Sequence, residues 1–255
     1  MSKNLNKILD VREVVIEVKY GDTTGNGHND KISLIEIHEN NKQHKFTGEI
    51  FIRVENGLTG HIDRIDLESH TGITYKLYLG NFTTNYKEDI LVQGFNYILE
   101  DKNNNYIFSY IDRKYKEIFN GHKFLEEYII EAVYKDNYII EVYCKRLNMM
   151  YLITIKYYNK KWLSKIYDKF GILSINAKLI NTDLNAVYPI GSTWGEEFGS
   201  QEELYIYQTL ISHDKEKVIA IIQNRLKWKN GRFVVILQNI AVFGEDRYKI
   251  KTTGI

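Results

Sequence analysis

Between two apolar runs, Val15-Ile16-Glu17-Val18 and Ile32-Ser33-Leu34-Ile35, the chain sets oxygen-bearing side chains at Asp22, Thr24, Asn26 and Asp30. These occupy relative positions 1, 3, 5 and 9 of a tight loop, and the carbonyl of His28 joins them at position 7. Hard oxygens at that spacing suit a small cation such as calcium, and Gly25 and Gly27 supply the positive φ angles that close coiling demands. Only Asp22 and Asp30 bring formal charge, so affinity is expected at the weak end, on the order of 10⁻⁴ to 10⁻³ M. The same Gly/Asn/Asp density also builds a good hairpin loop in which Asx side chains bond their own backbone and no metal is needed.

The decapeptide from Gly21 to Asp30 resembles the D-x-N/D-G-D-G-x-x-D loop of FG-GAP/VCBS repeats in integrin-type β-propellers. That resemblance implies calcium as the ion and a propeller blade as the setting. It departs from the family pattern at Thr24 and Asn26, where carboxylates are usual, and the motif is specific in this one place only.

A loop must be held by strands, and the flanking sequence reads as such. Val14, Ile16, Val18 and Tyr20 alternate with polar residues, as do Phe46, Ile50, Ile52 and Val54, and Asn56-Gly57 follows as a turn signal. Fifty-nine residues after the first loop comes a worn copy, Gly80-Asn81-Phe82-Thr83-Thr84-Asn85-Tyr86-Lys87-Glu88-Asp89. Tyr86 replaces a glycine there and Lys87 replaces His28, so this copy is expected to hold no metal. Strand-loop-strand boundaries recur near Asp136 and between Gly191 and Glu203, which divides the chain into units at about 12–70, 73–130, 131–183 and 184–250. Two further segments, Ile155 to Trp162 and Leu226 to Phe233, read as hairpins around Asn159 and Asn230-Gly231. Helix is weakly signalled, best within Tyr115 to Ala132, where strand is still preferred. The expected fold is therefore all-β and propeller-like, with about four blade-like units, either closed into a ring or left as an open stack.

Composition removes several function classes. The 255 residues carry a formal net charge of +1 with both signs interspersed, which gives no field for nucleic acid. No apolar run reaches membrane-spanning length, and Met1 to Ile8 lacks the core of a signal peptide, so a cytoplasmic location is expected. Twenty tyrosines beside one proline reflect a biased composition, so aromatic density alone says little. Seven histidines show no zinc spacing, and the lone Cys144 is best placed in the core because nothing beside it would stabilise a thiolate. No nucleophile elbow, phosphate loop or dinucleotide fingerprint occurs. The acidic pairs Glu126-Glu127, Glu196-Glu197 and Glu202-Glu203 suit glycoside hydrolysis only if two carboxylates face one another, whereas neighbours on a strand point to opposite faces. Lys156 to Lys169 interleaves lysines with Tyr157, Tyr158, Trp162 and Tyr167, either as a binding platform or as a sheet packed on one side and solvated on the other.

The leading expectation is a non-enzymatic structural or interaction protein, stiffened by one weak calcium site at Asp22, Thr24, Asn26, His28 and Asp30. A weak loop stays empty at ordinary cytosolic calcium, so such a protein would meet its ion in a spore or after envelope release. The rival is a carbohydrate-binding or carbohydrate-active protein that uses Trp194 and acidic loops on one face, with glycan in place of protein as the partner.

Overall fold

A computed structural model describes residues 11–39, 46–68, 73–96, 104–174, 184–190 and 201–242. The strands are β1 (Val11–Gly21), β2 (Asp30–Glu39), β3 (Phe46–Glu55), β4 (Ile62–Leu67), β5 (Ile73–Gly80), β6 (Asp89–Asn96), β7 (Asn105–Ile111) and β8 (Lys114–Asn120). There follow α1 (Gly121–Glu127), β9 (Ile130–Lys135), β10 (Ile139–Cys144), β11 (Met149–Thr154), α2 (Lys160–Leu163), β12 (Leu184–Ile190), β13 (Glu203–Ile211), β14 (Val218–Lys229) and β15 (Arg232–Val242). The fold is all-β. Among the described residues there are four small antiparallel sheets, each a meander in sequence order: β1 to β4, β5 to β8, β9 to β11 and β12 to β15.

The chain divides into two compact units. The first comprises Met1–Gly121, Pro189–Leu204 and Lys227–Val234; the second comprises His122–Tyr188, Tyr205–Leu226 and Val235–Ile255. In the first unit, period-2 patterning turns Ile32, Leu34, Ile50, Ile52 and Val54 to one side of the first sheet, where they meet Tyr75, Leu77, Ile90, Val92 and Tyr106 of the second. Ile32, Leu34, Ile52, Ile90 and Val92 have no exposed surface at all. Burying each such side chain contributes roughly 1.5–3 kcal/mol, which makes this two-sheet core the scaffold that fixes the loops at its end.

In the second unit, Cys144 is buried among Ile140, Val142 and Ile153, in keeping with a packing role. A row of amides crosses the last sheet: Asn224 donates to Gln208 Oε1 at 2.9 Å, and Gln238 donates to Asn224 Oδ1 at 2.7 Å.

Three local expectations are corrected by the structure. Residues 121–127, where strand was preferred, form α1. The Ile155 to Trp162 segment is not a hairpin, because the Asn159 side chain accepts hydrogen bonds from the Lys161 and Trp162 amides and starts α2. Asn56-Gly57 does not close a two-residue turn either. A longer loop joins β3 to β4, and Asn56 Oδ1 accepts from Leu58 N, Thr59 N and the Thr59 hydroxyl within it. By contrast Asn230 and Gly231 both have positive φ and close β14 onto β15 as expected.

Candidate functional site

The first two sheets carry the same loop construction. Gly21 pairs with Asp30 at the end of β1–β2, and Gly80 pairs with Asp89 at the end of β5–β6. In each loop the closing aspartate turns back and is buried, with no exposed surface at Asp30 or Asp89. Asp30 Oδ2 accepts from Thr23 N, the Thr23 hydroxyl and Thr24 N, and Oδ1 accepts from the Asn56 side-chain amide and Gly57 N. Because the single Thr23 proton goes to Asp30, the Tyr115 hydroxyl donates to Thr23 Oγ1 across 2.6 Å.

The residues of the expected metal site make these contacts. Asp22 Oδ1 accepts from Gly25 N and Asn26 N, and its Oδ2 accepts from Gly27 N. Asn26 Oδ1 accepts from His28 N, while Thr24 Oγ1 accepts from Asn56. Asp22, Thr24, Asn26 and Asp30 thus accept from donors of the loop and its neighbour, Thr24 and Asp30 sharing the Asn56 side-chain amide. Among the described residues no three His, Cys, Asp or Glu side chains gather as a metal site. In this arrangement the loop is bonded through its Asx side chains, as the metal-free alternative describes.

The second loop carries a cation of its own. Lys87, 7% exposed, sends Nζ to Ser109 Oγ at 2.6 Å and to the Tyr110 carbonyl at 2.8 Å, within 3.5 Å of Asp89 Oδ1. Thr83 N and its hydroxyl complete the shell around Asp89. Phe82, which stands where the first loop has Thr23, fills an aromatic cluster with Tyr78 and Phe233.

A second repeated device links the loops of this unit. Glu88 N donates to Asp22 O at 2.9 Å, and Glu202 N donates to Asn81 O at 2.8 Å. A Cβ at Gly21 would collide with the Glu88 carboxylate, and one at Gly80 with the Glu202 carboxylate. Each closing glycine therefore makes room for the glutamate of the next loop. Burial pushes both Glu88 and Glu202 above the usual carboxylate range; Asp22 adds to the rise at Glu88, and Glu88 adds to that at Glu202. Tyr78 donates its hydroxyl to Glu202 at 3.2 Å, and burial beside that carboxylate pushes the phenol up to about 12.

The second loop also borders an open cleft of about 380 Å³, lined by Thr83, Thr84, Asn85, Tyr86 and Gln201. The Tyr86 ring, 69% exposed, rests on the bare Cα of Gly25. Gln201 is anchored by its side-chain amide to the Thr83 carbonyl. The Thr84 hydroxyl is shielded from solvent and has no hydrogen-bond partner.

Part of the chain matches a known family. Residues 128–241 match the YybI C-terminal domain, and over 240 residues the chain is 24% identical to YybI of Bacillus subtilis (strain 168), covering 92% of this chain and 87% of that protein. The FG-GAP/VCBS resemblance is corrected by this finding. The physical reason is that a tight loop around a buried carboxylate needs the same glycines and Asx residues as an ion loop. Among solved structures, the chain is similar to Bacillus licheniformis rhamnogalacturonan lyase PL11, with 13% identity and a TM-score of 0.33 over 94% of this chain and 35% of that one. It is also similar to the exotype rhamnogalacturonan lyase YesX, with 12% identity and a TM-score of 0.34 over 90% of this chain and 33% of that one. The chain thus spans about a third of the length of either lyase.

Trp194 and the Glu196-Glu197 pair lie outside the described residues. Glu202 and Glu203 differ in setting, Glu203 being buried while Glu202 is half-buried beside Tyr78 and Gly80. Sequence reasoning weighed Glu202 only against its neighbour and passed over Glu88 and Tyr86. The available signal was a glycine at the end of the first strand in both copies, Gly21 and Gly80, with a glutamate one residue before Asp89 and one before Glu203.

Proposed function

We propose that the chain is a saccharide-binding β protein that receives a neutral sugar on the loop face of its first unit. The observation that carries this reading is the exposed Tyr86 ring set among amide and hydroxyl side chains in a cleft of about 380 Å³. An aromatic face offers an apolar platform to the C–H side of a pyranose, and the side-chain amides of Asn85 and Gln201 offer donors and acceptors to its hydroxyls.

Titration of the full chain with a panel of neutral oligosaccharides, read by calorimetry, tests this. Saturable binding that Tyr86→Ala weakens at least tenfold, without a change in melting temperature, supports the reading; equal binding by wild type and variant refutes it.

A second reading, cleavage of a glycosidic bond, draws on the raised carboxylates, since burial that raises a glutamate's pKa moves it toward the range of a general acid. Product release abolished by both Glu88→Gln and Glu202→Gln, with sugar affinity kept, would establish it. The calcium-stiffened interaction role is the less supported reading, because the oxygens it needs already serve the loop.

A further inference from the structure

The second unit holds a different kind of cleft. About 390 Å³ in volume, it is lined by Tyr138, Lys156, Lys160, Leu163, Ser164, Tyr167, Asp168 and Lys169. Three of these are lysines, and among the described residues none of them makes an ion pair with a carboxylate. The one acid, Asp168, uses Oδ1 to accept from Phe170 N and Ile172 N, which fixes it in its own turn. Lys165, close by in sequence, is instead committed to Glu216 at 2.7 Å. The lining is therefore cationic by two charges, and among the described residues no carboxylate pairs with its lysines, Lys169 Nζ lying 4.9 Å from the Phe170 ring centroid.

Its aromatic wall is held with unusual force. Tyr138 adopts φ +61°, a region that bulky side chains seldom enter. Its ring is clamped against Gly171, where a Cβ would collide with it, and lies 4.8 Å from the ring of Tyr167. Asn137 N donates to Gly171 O at 2.8 Å, and Leu173 N donates to Asp136 Oδ1 at 2.8 Å, so the turn is tied down on both sides of Tyr138. Strain of this kind persists where the surroundings over-determine it, and here it presents a half-buried aromatic to the cleft.

The mix of groups selects the ligand. Unpaired ammonium groups call for an anion, and an aromatic and aliphatic wall calls for a ring that can lie flat on it. Arginine, whose planar fork matches a phosphate or a single carboxylate in bidentate fashion, is absent from the lining. Lysines spread around a cleft act as separate point charges, which fits carboxylates distributed along a chain of rings better than one compact polyphosphate. We infer that this cleft binds a saccharide bearing carboxylate groups. This site uses none of the loop-face residues, so it stands or falls independently of the neutral-sugar reading.

The test is calorimetric titration of the full chain at low salt with an oligogalacturonate, its neutral galactose counterpart, ATP and inorganic phosphate as separate arms. The expected result is saturable binding of the oligogalacturonate alone, weakening as salt rises. Combined Lys156→Ala, Lys160→Ala and Lys169→Ala should raise its Kd at least tenfold. Tyr138→Asn should do likewise while preserving the turn, because asparagine accepts positive φ and leaves the fold intact. Tighter binding of ATP or phosphate than of the oligogalacturonate, or oligogalacturonate binding untouched by the lysine and Tyr138 variants, would overturn the inference.

Discussion

Replacing Lys87 by methionine removes the built-in cation of the second loop while keeping the length of the aliphatic stem. Asp89 would then remain with no exposed surface and only Thr83 to satisfy it, and Ser109 Oγ and the Tyr110 carbonyl would each lose a charged donor. Breaking a buried ion pair by deleting one partner costs about 3–5 kcal/mol, because an uncompensated charge is left behind. With a urea m-value of about 2 kcal/mol/M for a unit of this size, the unfolding midpoint should fall by roughly 2 M. The companion substitution Asp89→Asn removes the other charge. In the double variant the loss should be smaller than the sum of the two single losses by roughly 1–3 kcal/mol, the coupling expected of groups in direct contact. Urea unfolding of the full chain, followed by fluorescence and by circular dichroism, supplies the four free energies. A loss below about 1 kcal/mol for Lys87→Met, or simple additivity, would refute the tethered-cation argument.

Further outcomes follow from the same geometry. Asp30→Asn places an amide against the Thr23 and Thr24 donors and should cost about 2–4 kcal/mol in urea unfolding, while Asp22→Asn, whose donors are solvent-exposed, should cost about 1 kcal/mol. Since both carboxylates are already satisfied, millimolar calcium should leave the wild-type melting temperature unchanged; an upward shift abolished by Asp22→Ala with Asp30→Ala would restore the ion site. Glu88 and Glu202 have folded-state pKa values above the ordinary 4.5, so the stability they contribute is complete below that value and is lost as pH rises through the folded value. Glu88→Gln and Glu202→Gln should therefore each become more stabilising, relative to wild type, as pH is raised from 4.5 to 7; a constant difference across that range would contradict the burial argument.

The strand framework was legible in β2, β3, β5 and β6, whose alternate residues Ile32, Leu34, Ile50, Ile52, Val54, Tyr75, Leu77, Ile90 and Val92 meet between two sheets, whereas most apolar residues of β1 stay exposed. The repeat of the loop was legible too, through Gly21 and Gly80 and through Asp30 and Asp89. What the loop does was not. An aspartate that accepts five internal donors and one that ligates calcium have the same identity and the same neighbours in sequence, and they differ only in where Thr23, Asn56 and Gly57 lie in space. Glu88 and Glu202 were missed because they lie 114 positions apart in the sequence. The aromatics of the lysine-rich stretch divided in a way that alternation did not foretell, with Tyr158, Trp162 and Tyr167 buried and Tyr157 left 70% exposed. In α2, a single Asn159 side chain capping two amides outweighed the strand propensity of the aromatics around it.

The saccharide reading is tested most directly by mapping amide chemical shifts of the isotopically labelled chain during titration with a neutral oligosaccharide. The account predicts saturable shifts centred on Asn85, Tyr86 and Gln201, including the side-chain amides of Asn85 and Gln201. Shifts confined to other residues, or none at millimolar sugar, would contradict it.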